Sequence, residues 1–206
     1  MSTEVLNELL HYPIGHSEMS ISLQGSFLVA ASHLRDPNFY RSVVLMLEHT
    51  DQGAMGLVIN RPSAITIGKA LSQHGTVNGG DAPVLVGGPV EPTSLFILHN
   101  CFALGKSDQE IAPGLFLASS EDSFEEVVRS GKKPDASAKF RLISGYAGWG
   151  DGQLEGEIAR GDWYTIPADG ALVLEEDVYG LWEVCTRRLQ RANRLLPHDL
   201  RNPEWN

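Results

Sequence analysis

The chain has 206 residues, 42% hydrophobic and 20% charged, with a formal net charge of -10 and a pI near 5.1. A chain of this length buries about 70% of its unfolded surface as one domain and needs no disulfide or metal to hold a core. The acid excess opposes direct nucleic-acid binding, which relies on clustered Lys and Arg, and no apolar run approaches the roughly eighteen residues of a membrane helix.

Residues 1 to 24 have weak periodicity and read as a loosely ordered extension, with one helical turn at Val5 to Leu10; the domain proper is expected over 25 to 206. The opening stretch lacks Lys or Arg before Arg35 and has no apolar core, so the expectation is a cytoplasmic protein without a secretory signal. Cys101 and Cys185 have no Cys-x-x-Cys spacing and read as buried free thiols of a reducing compartment.

Phe27 to Ala31 and Val43 to His49 read as strands separated by the turn Arg35-Asp-Pro-Asn38. Thr50-Asp-Gln-Gly53 then joins the second strand to Ala54 to Asn60 as a hairpin, which Pro62 is expected to end. Thr66 caps a short helix from Ile67 to about Gln73, and Asn78-Gly-Gly-Asp81 is a loop. Short strands follow at Pro83 to Val86, Leu95 to His99 and Leu115 to Ala118.

A helix begins after Ser120, with acids in its first turn and Gly131 as its stop. Phe140 to Ser144 is a strand, Asp151 caps a helix to Arg160, and Trp163 to Ile166 and Leu172 to Leu174 are strands before a last helix from Asp177. Strands in succession with about four helices imply an α+β fold on a mixed, mostly antiparallel sheet.

The glycine-rich stretch Gly145 to Glu157 reads as a rigid strand-to-helix turn presenting Tyr146 and Trp149. Its Gly148-x-Gly150-x-x-Gln153 lacks the third glycine of a dinucleotide loop, and Glu155 and Glu157 would repel a phosphate. Gly105-Lys106-Ser107 lacks the first glycine of a phosphate loop, and Ser130-Gly-Lys-Lys133 lies in a polar loop, so neither carries chemistry. No spacing points to a metal or a cofactor.

Glu48 and His49 close a strand with side chains on opposite faces and, with Glu155, are the acid/base candidates. A metal would need several of Glu48, His49, His99, Asp151 and Glu155 to converge. Asn60 and Arg61 could hold a carboxylate or tie down a turn, and Gln153 joins Tyr146 and Trp149 as a binding candidate. Arg187, Arg188, Arg191 and Arg194 are the nucleic-acid candidates, placed mostly outside the inward stripe of the last helix, Leu181, Cys185, Leu189, Ala192 and Leu196.

Leu34 to Leu45, Glu48-His49, Gly53 to Pro62, Gly87-Gly-Pro-Val90, Leu98-His99 and Gly145 to Glu155 occur in an order that resembles the AlgH/YqgE family of bacterial proteins. The resemblance runs from about Gly25 to the last helix and implies a single α+β domain with a split sheet folded into a partial barrel. It implies no defined activity, and some members are named as transcriptional regulators of exopolysaccharide synthesis. Three roles follow: a cytoplasmic non-enzymatic protein binding a protein or small ligand through the Gly145 to Glu157 edge, a small-molecule enzyme using Glu48, His49 and Glu155, or a regulator using the C-terminal arginines.

Overall fold

The computed structural model describes residues 22–72, 80–101, 108–130, 139–175 and 177–195. The first unit is β1 (Ser26–Ala30), β2 (Val43–Thr50) and β3 (Gly53–Val58). In β2 the run Val43 to Leu47 is buried on both faces, so it reads as unbroken apolar sequence and not as an alternation. A tight turn at Asp51 and Gln52 pairs Thr50 with Gly53 and makes the expected hairpin.

β4 (Pro62–Thr66), α1 (Ile67–Ala70), β5 (Pro83–Val86) and β6 (Val90–His99) come next. Pro62 opens a strand here instead of ending one. Proline is tolerated at the first residue of a strand, and β4 pairs with β5 alone. The Thr66 cap is as expected, its hydroxyl accepting the Lys69 N–H.

β7 (Gln109–Ala112) and β8 (Leu115–Leu117) form a small hairpin, and α2 (Glu121–Ser130) follows. β9 (Phe140–Gly150) runs straight through the stretch expected to be a turn, and only Asp151 and Gly152 separate it from α3 (Gln153–Ala159). Asp151 does not cap α3: the N-cap is Gly152 at φ +66°, with no side-chain cap.

β10 (Trp163–Pro167), α4 (Gly170–Val173) and α5 (Leu181–Leu195) complete the described chain. Leu172 to Leu174, expected as a strand, lies in and just after α4, because Asp169 takes the Ala171 N–H and starts a helical turn. Asp177 holds the N–H groups of Tyr179 and Gly180 in a turn, so α5 starts at Leu181 instead of Asp177. The described residues thus contain five helices. The expected turn at Val5 to Leu10, Gly131, and Leu196 of the inward stripe lie outside them.

The ten strands run in the order β10-β1-β2-β3-β9-β6-β8-β7, with β5 on β9 and β4 on β5. All pairings are antiparallel except β5 with β9. β9 splits the sheet: its last residues pair with β3 through Gly53–Gly150, while its first half lies between β5 and β6. The result is a mixed α+β fold on a curled, largely antiparallel half-barrel, as the resemblance implies.

Gly88 makes the split possible. Its φ is +154°, and a Cβ there would sit 2.2 Å from the Tyr146 backbone. At β1 the chain closes on itself, with Ser26 opposite Pro167 and Ala30 opposite Trp163.

The concave core gathers Phe27, Leu45, Leu57, Leu98 and Ile143 under α4 and α5, where Leu181, Trp182 and Cys185 enter. Burial pushes the Cys185 thiol up to about 11, as for an inert buried cysteine. Cys101 is only half-buried, which departs from expectation. A second cluster, Leu28, Met46, Trp149, Leu154 and Trp163, fills the opposite face under α3, and α1 and α2 cover Val84, Ile97 and Leu142.

Candidate functional site

The end of the β2–β3 hairpin carries the densest set of expected residues. A register shift between Met46 and Glu48 makes a bulge at Leu47, after which Glu48 faces Met55 and His49 faces Ala54. The bulge re-aims the strand end, so that Leu47, Glu48, His49, Met55, Phe96 and Leu117 line a cleft of about 510 Å³, with Gln24 and Gln109 also on its wall.

His49 is held at both nitrogens. The Leu23 N–H donates to Nδ1 at 3.1 Å, which places the ring proton on Nε2, and Nε2 donates to Glu155 Oε1 at 2.7 Å. The His49 side chain is 6% exposed and that of Glu155 51%. Glu155's own backbone N–H, and then His49, hold its carboxyl below the usual range. The sequence named both residues, but only the antiparallel packing of β3 on β9 brings α3 beside the end of β2.

Glu48 is exposed and its side chain makes no hydrogen bond or ion pair among the described residues. It also borders a second hollow of about 240 Å³, with Gln52, Gly53 and Trp149. Thus Glu48 and His49 both border one cleft, the His49 ring is turned to Glu155 of α3, and Glu48 keeps its carboxylate uncommitted.

The glycine-rich strand serves packing. Trp149 is 6% exposed, a correction to its expected presentation: its ring stacks on Phe39 at 6.0 Å and meets Trp163 edge-on at 6.1 Å. Both indole N–H groups donate to Glu157 Oε2, at 2.9 and 2.8 Å, and Gln153 Nε2 donates to Oε1 at 3.0 Å. Tyr146 packs edge-on against Phe96 at 6.2 Å. Sequence reasoning missed Phe39 and Trp163 here, and the spacing of Gln153 and Glu157, one helical turn apart, was the available signal.

Asn60 and Arg61 tie down a turn. Asn60 Oδ1 accepts from Val43 N and its amide donates to the Arg41 carbonyl, while Arg61 Nη1 donates to the Pro37 carbonyl. Desolvation lowers the Arg61 pKa, which nearby Asp36 partly opposes. Arg187, Arg188 and Arg191 are exposed on α5, and Arg188 is bound to Asp169 at 3.0 Å; the side chain of Arg194 lies outside the described residues. Ala192 is exposed, so the inward stripe ends before it.

His99 lies apart from these groups. Its Nε2 faces Asp108 Oδ2 at 3.0 Å, with both side chains 0% exposed, and its Nδ1 accepts from Cys101 N. Asp108 also accepts from Ser123 Oγ at 2.6 Å and from the Ser119 N–H and Oγ. Burial alone would raise its pKa, but these bonds together hold it below the usual range. Burial lowers the pKa of His99 against the pull of Asp108. Among the described residues no three His, Cys, Asp or Glu side chains are grouped to hold a metal, and no helix is long and apolar enough to cross a membrane.

Residues 27–193 match the model of the family described as AlgH-like. The chain is 43% identical over 158 residues to a UPF0301 protein of Hahella chejuensis, covering 76% of this chain and 83% of that one. A UPF0301 protein of Myxococcus xanthus is 41% identical over 169 residues, with 81% and 90% covered. The solution structure of the AlgH protein from Pseudomonas aeruginosa superposes with a TM-score of 0.64 at 32% identity, over 87% of this chain and 97% of that one. A crystal structure of a Corynebacterium diphtheriae protein gives 0.64 at 25% identity, over 86% and 89%.

Proposed function

The chain belongs to the AlgH-like family, and from that premise we propose that it is a cytoplasmic, non-enzymatic binding protein that seats a small ligand in the cleft beside Glu48 and His49. The observation that carries this reading is the cleft itself. Its volume of about 510 Å³ falls in the small-molecule range, and its walls combine apolar Leu47, Met55, Phe96 and Leu117 with the polar ends of Glu48 and Gln109.

Support for the Gly145 to Glu157 edge as the binding surface is weaker, because Trp149, Gln153 and Glu157 are committed to one another. The acid/base reading likewise lacks a free base on His49, whose two nitrogens are both engaged. On the binding reading, any effect on transcription is indirect and the α5 arginines are a solvated helix face.

The test is a methyl and aromatic NMR titration of the full chain against a panel of cationic, neutral and anionic small molecules. Shifts confined to Met55, Phe96 and Leu117 are expected for at least one member. A panel that moves none of them, on a well-dispersed spectrum, overturns the reading.

A further inference from the structure

Resting on the cleft reading above, we propose that the ligand is an organic ammonium ion whose apolar body lies on Met55, Phe96 and Leu117 while its charged head meets the Glu48 carboxylate. Three observations converge on this class.

Glu48 is the uncommitted charge of the wall. Of the other carboxylates near the hairpin, Glu155 accepts from His49 and Glu157 from two indoles, while Asp51 lies in the turn, outside the cleft lining. Glu110, on the β7 strand beside the cleft, accepts the Gly114 N–H. A carboxylate that folding leaves without a partner, at the lip of an apolar hollow, is complementary to a cation that brings its own N–H donors.

Among the described residues the wall holds no competing cation: neither Lys nor Arg lines the cleft, and its one basic residue, His49, carries its proton on Nε2 and directs it to Glu155. An anionic ligand would therefore meet a repelling carboxylate and no charged donor. The net charge of -10 adds a long-range field that favours cations at low salt, where the Debye length is long.

Phe96 is braced edge-on by Tyr146, and Met55 stands opposite Glu48 across the β2–β3 ladder, so the body and the head are addressed by fixed strands. The bulge at Leu47 is what brings an apolar and an acidic side chain together on this lip.

Three probes of matched shape decide the matter: phenethylammonium, 2-phenylethanol and 3-phenylpropanoate, titrated into the wild-type chain and Glu48→Gln with the cleft signals as readout. Phenethylammonium is expected to bind at least about tenfold more tightly than either other probe in 50 mM salt, with the margin narrowing as salt rises. Glu48→Gln is expected to remove that margin and leave 2-phenylethanol unchanged. Equal binding of all three, or a cation preference that survives Glu48→Gln, overturns the ammonium assignment while the cleft reading stands. No shift in the cleft with any probe overturns both. Since Glu48 is exposed and unbonded, Glu48→Gln folds as the wild type does, which matching circular dichroism checks.

Discussion

Two histidine–carboxylate pairs in one molecule show how the same chemistry is put to different ends by its surroundings. The side chains of His99 and Asp108 are both fully buried, and Asp108 receives three more hydrogen bonds from Ser119 and Ser123. His49 and Glu155 are closer, at 2.7 Å against 3.0 Å, yet half of Glu155 is in water. Distance therefore does not rank them. In the first pair every lone pair is spoken for and removal of one member strands a buried charge; in the second, water stands ready to replace whatever is removed. The first is a fastener between the β7–β8 hairpin and α2, and the second orients a cleft wall.

The largest effect that would test this contrast is His99→Leu, which leaves Asp108 buried without its imidazole partner. A loss of about 1.5 to 3 kcal/mol, that of one hydrogen bond to a buried charge, is expected in urea unfolding. A loss below about 1 kcal/mol would place the buried pair on a level with the surface one and break the comparison.

Acid titration sharpens it. Both native pKa values are held below their unfolded ones, so the unfolded chain binds the additional protons and stability falls as pH falls. The His99 contribution is complete above about pH 6.5 and is lost on going below it; that of Asp108 is complete above about pH 3.9 and is lost as pH drops through its native value. Thermal unfolding followed from pH 8 to pH 3 should show a decline beginning near pH 6.5 that is absent from His99→Leu. Parallel profiles for the two proteins would assign the decline elsewhere.

The smallest effect is that of Glu155→Gln, whose amide oxygen can still accept from His49 Nε2. A change of less than about 1 kcal/mol is expected in the same unfolding assay. A larger loss would mean that the surface pair, too, is a fastener.

The hairpin of β2 and β3 was legible because an unbroken apolar run and a polar turn with glycine are local signals. β4 was not, since proline at a strand start and proline after a strand end look alike in sequence. The β9 glycines were read as a turn because glycine permits tight turns; Gly145 shows that the deciding term is another backbone, the Gly88 carbonyl 2.8 Å from where a Cβ would be, a tertiary fact. Leu172 to Leu174 has strand composition but follows Asp169, and the cap prevailed over composition.

Within the site, Glu48, His49 and Glu155 were legible as residue types at a strand end and a helix start. The bond between His49 and Glu155 spans 106 positions and depends on the split of β9, so no local pattern encodes it. Phe39 and Trp163 lie in separate elements, a loop and β10, and their rings meet edge-on, with the Trp163 N–H on Glu157, only once β10 has closed against β1.

That closure has a temporal cost. A ribosome releases β1 early, but the strand that covers its open edge arrives only with Trp163 to Pro167. At ordinary elongation speeds the interval is on the order of ten seconds. Throughout it the nascent β1–β2–β3 unit carries two apolar faces and an unpaired edge, which makes the unfinished polypeptide, far more than the finished one, the form that depends on protection from its neighbours.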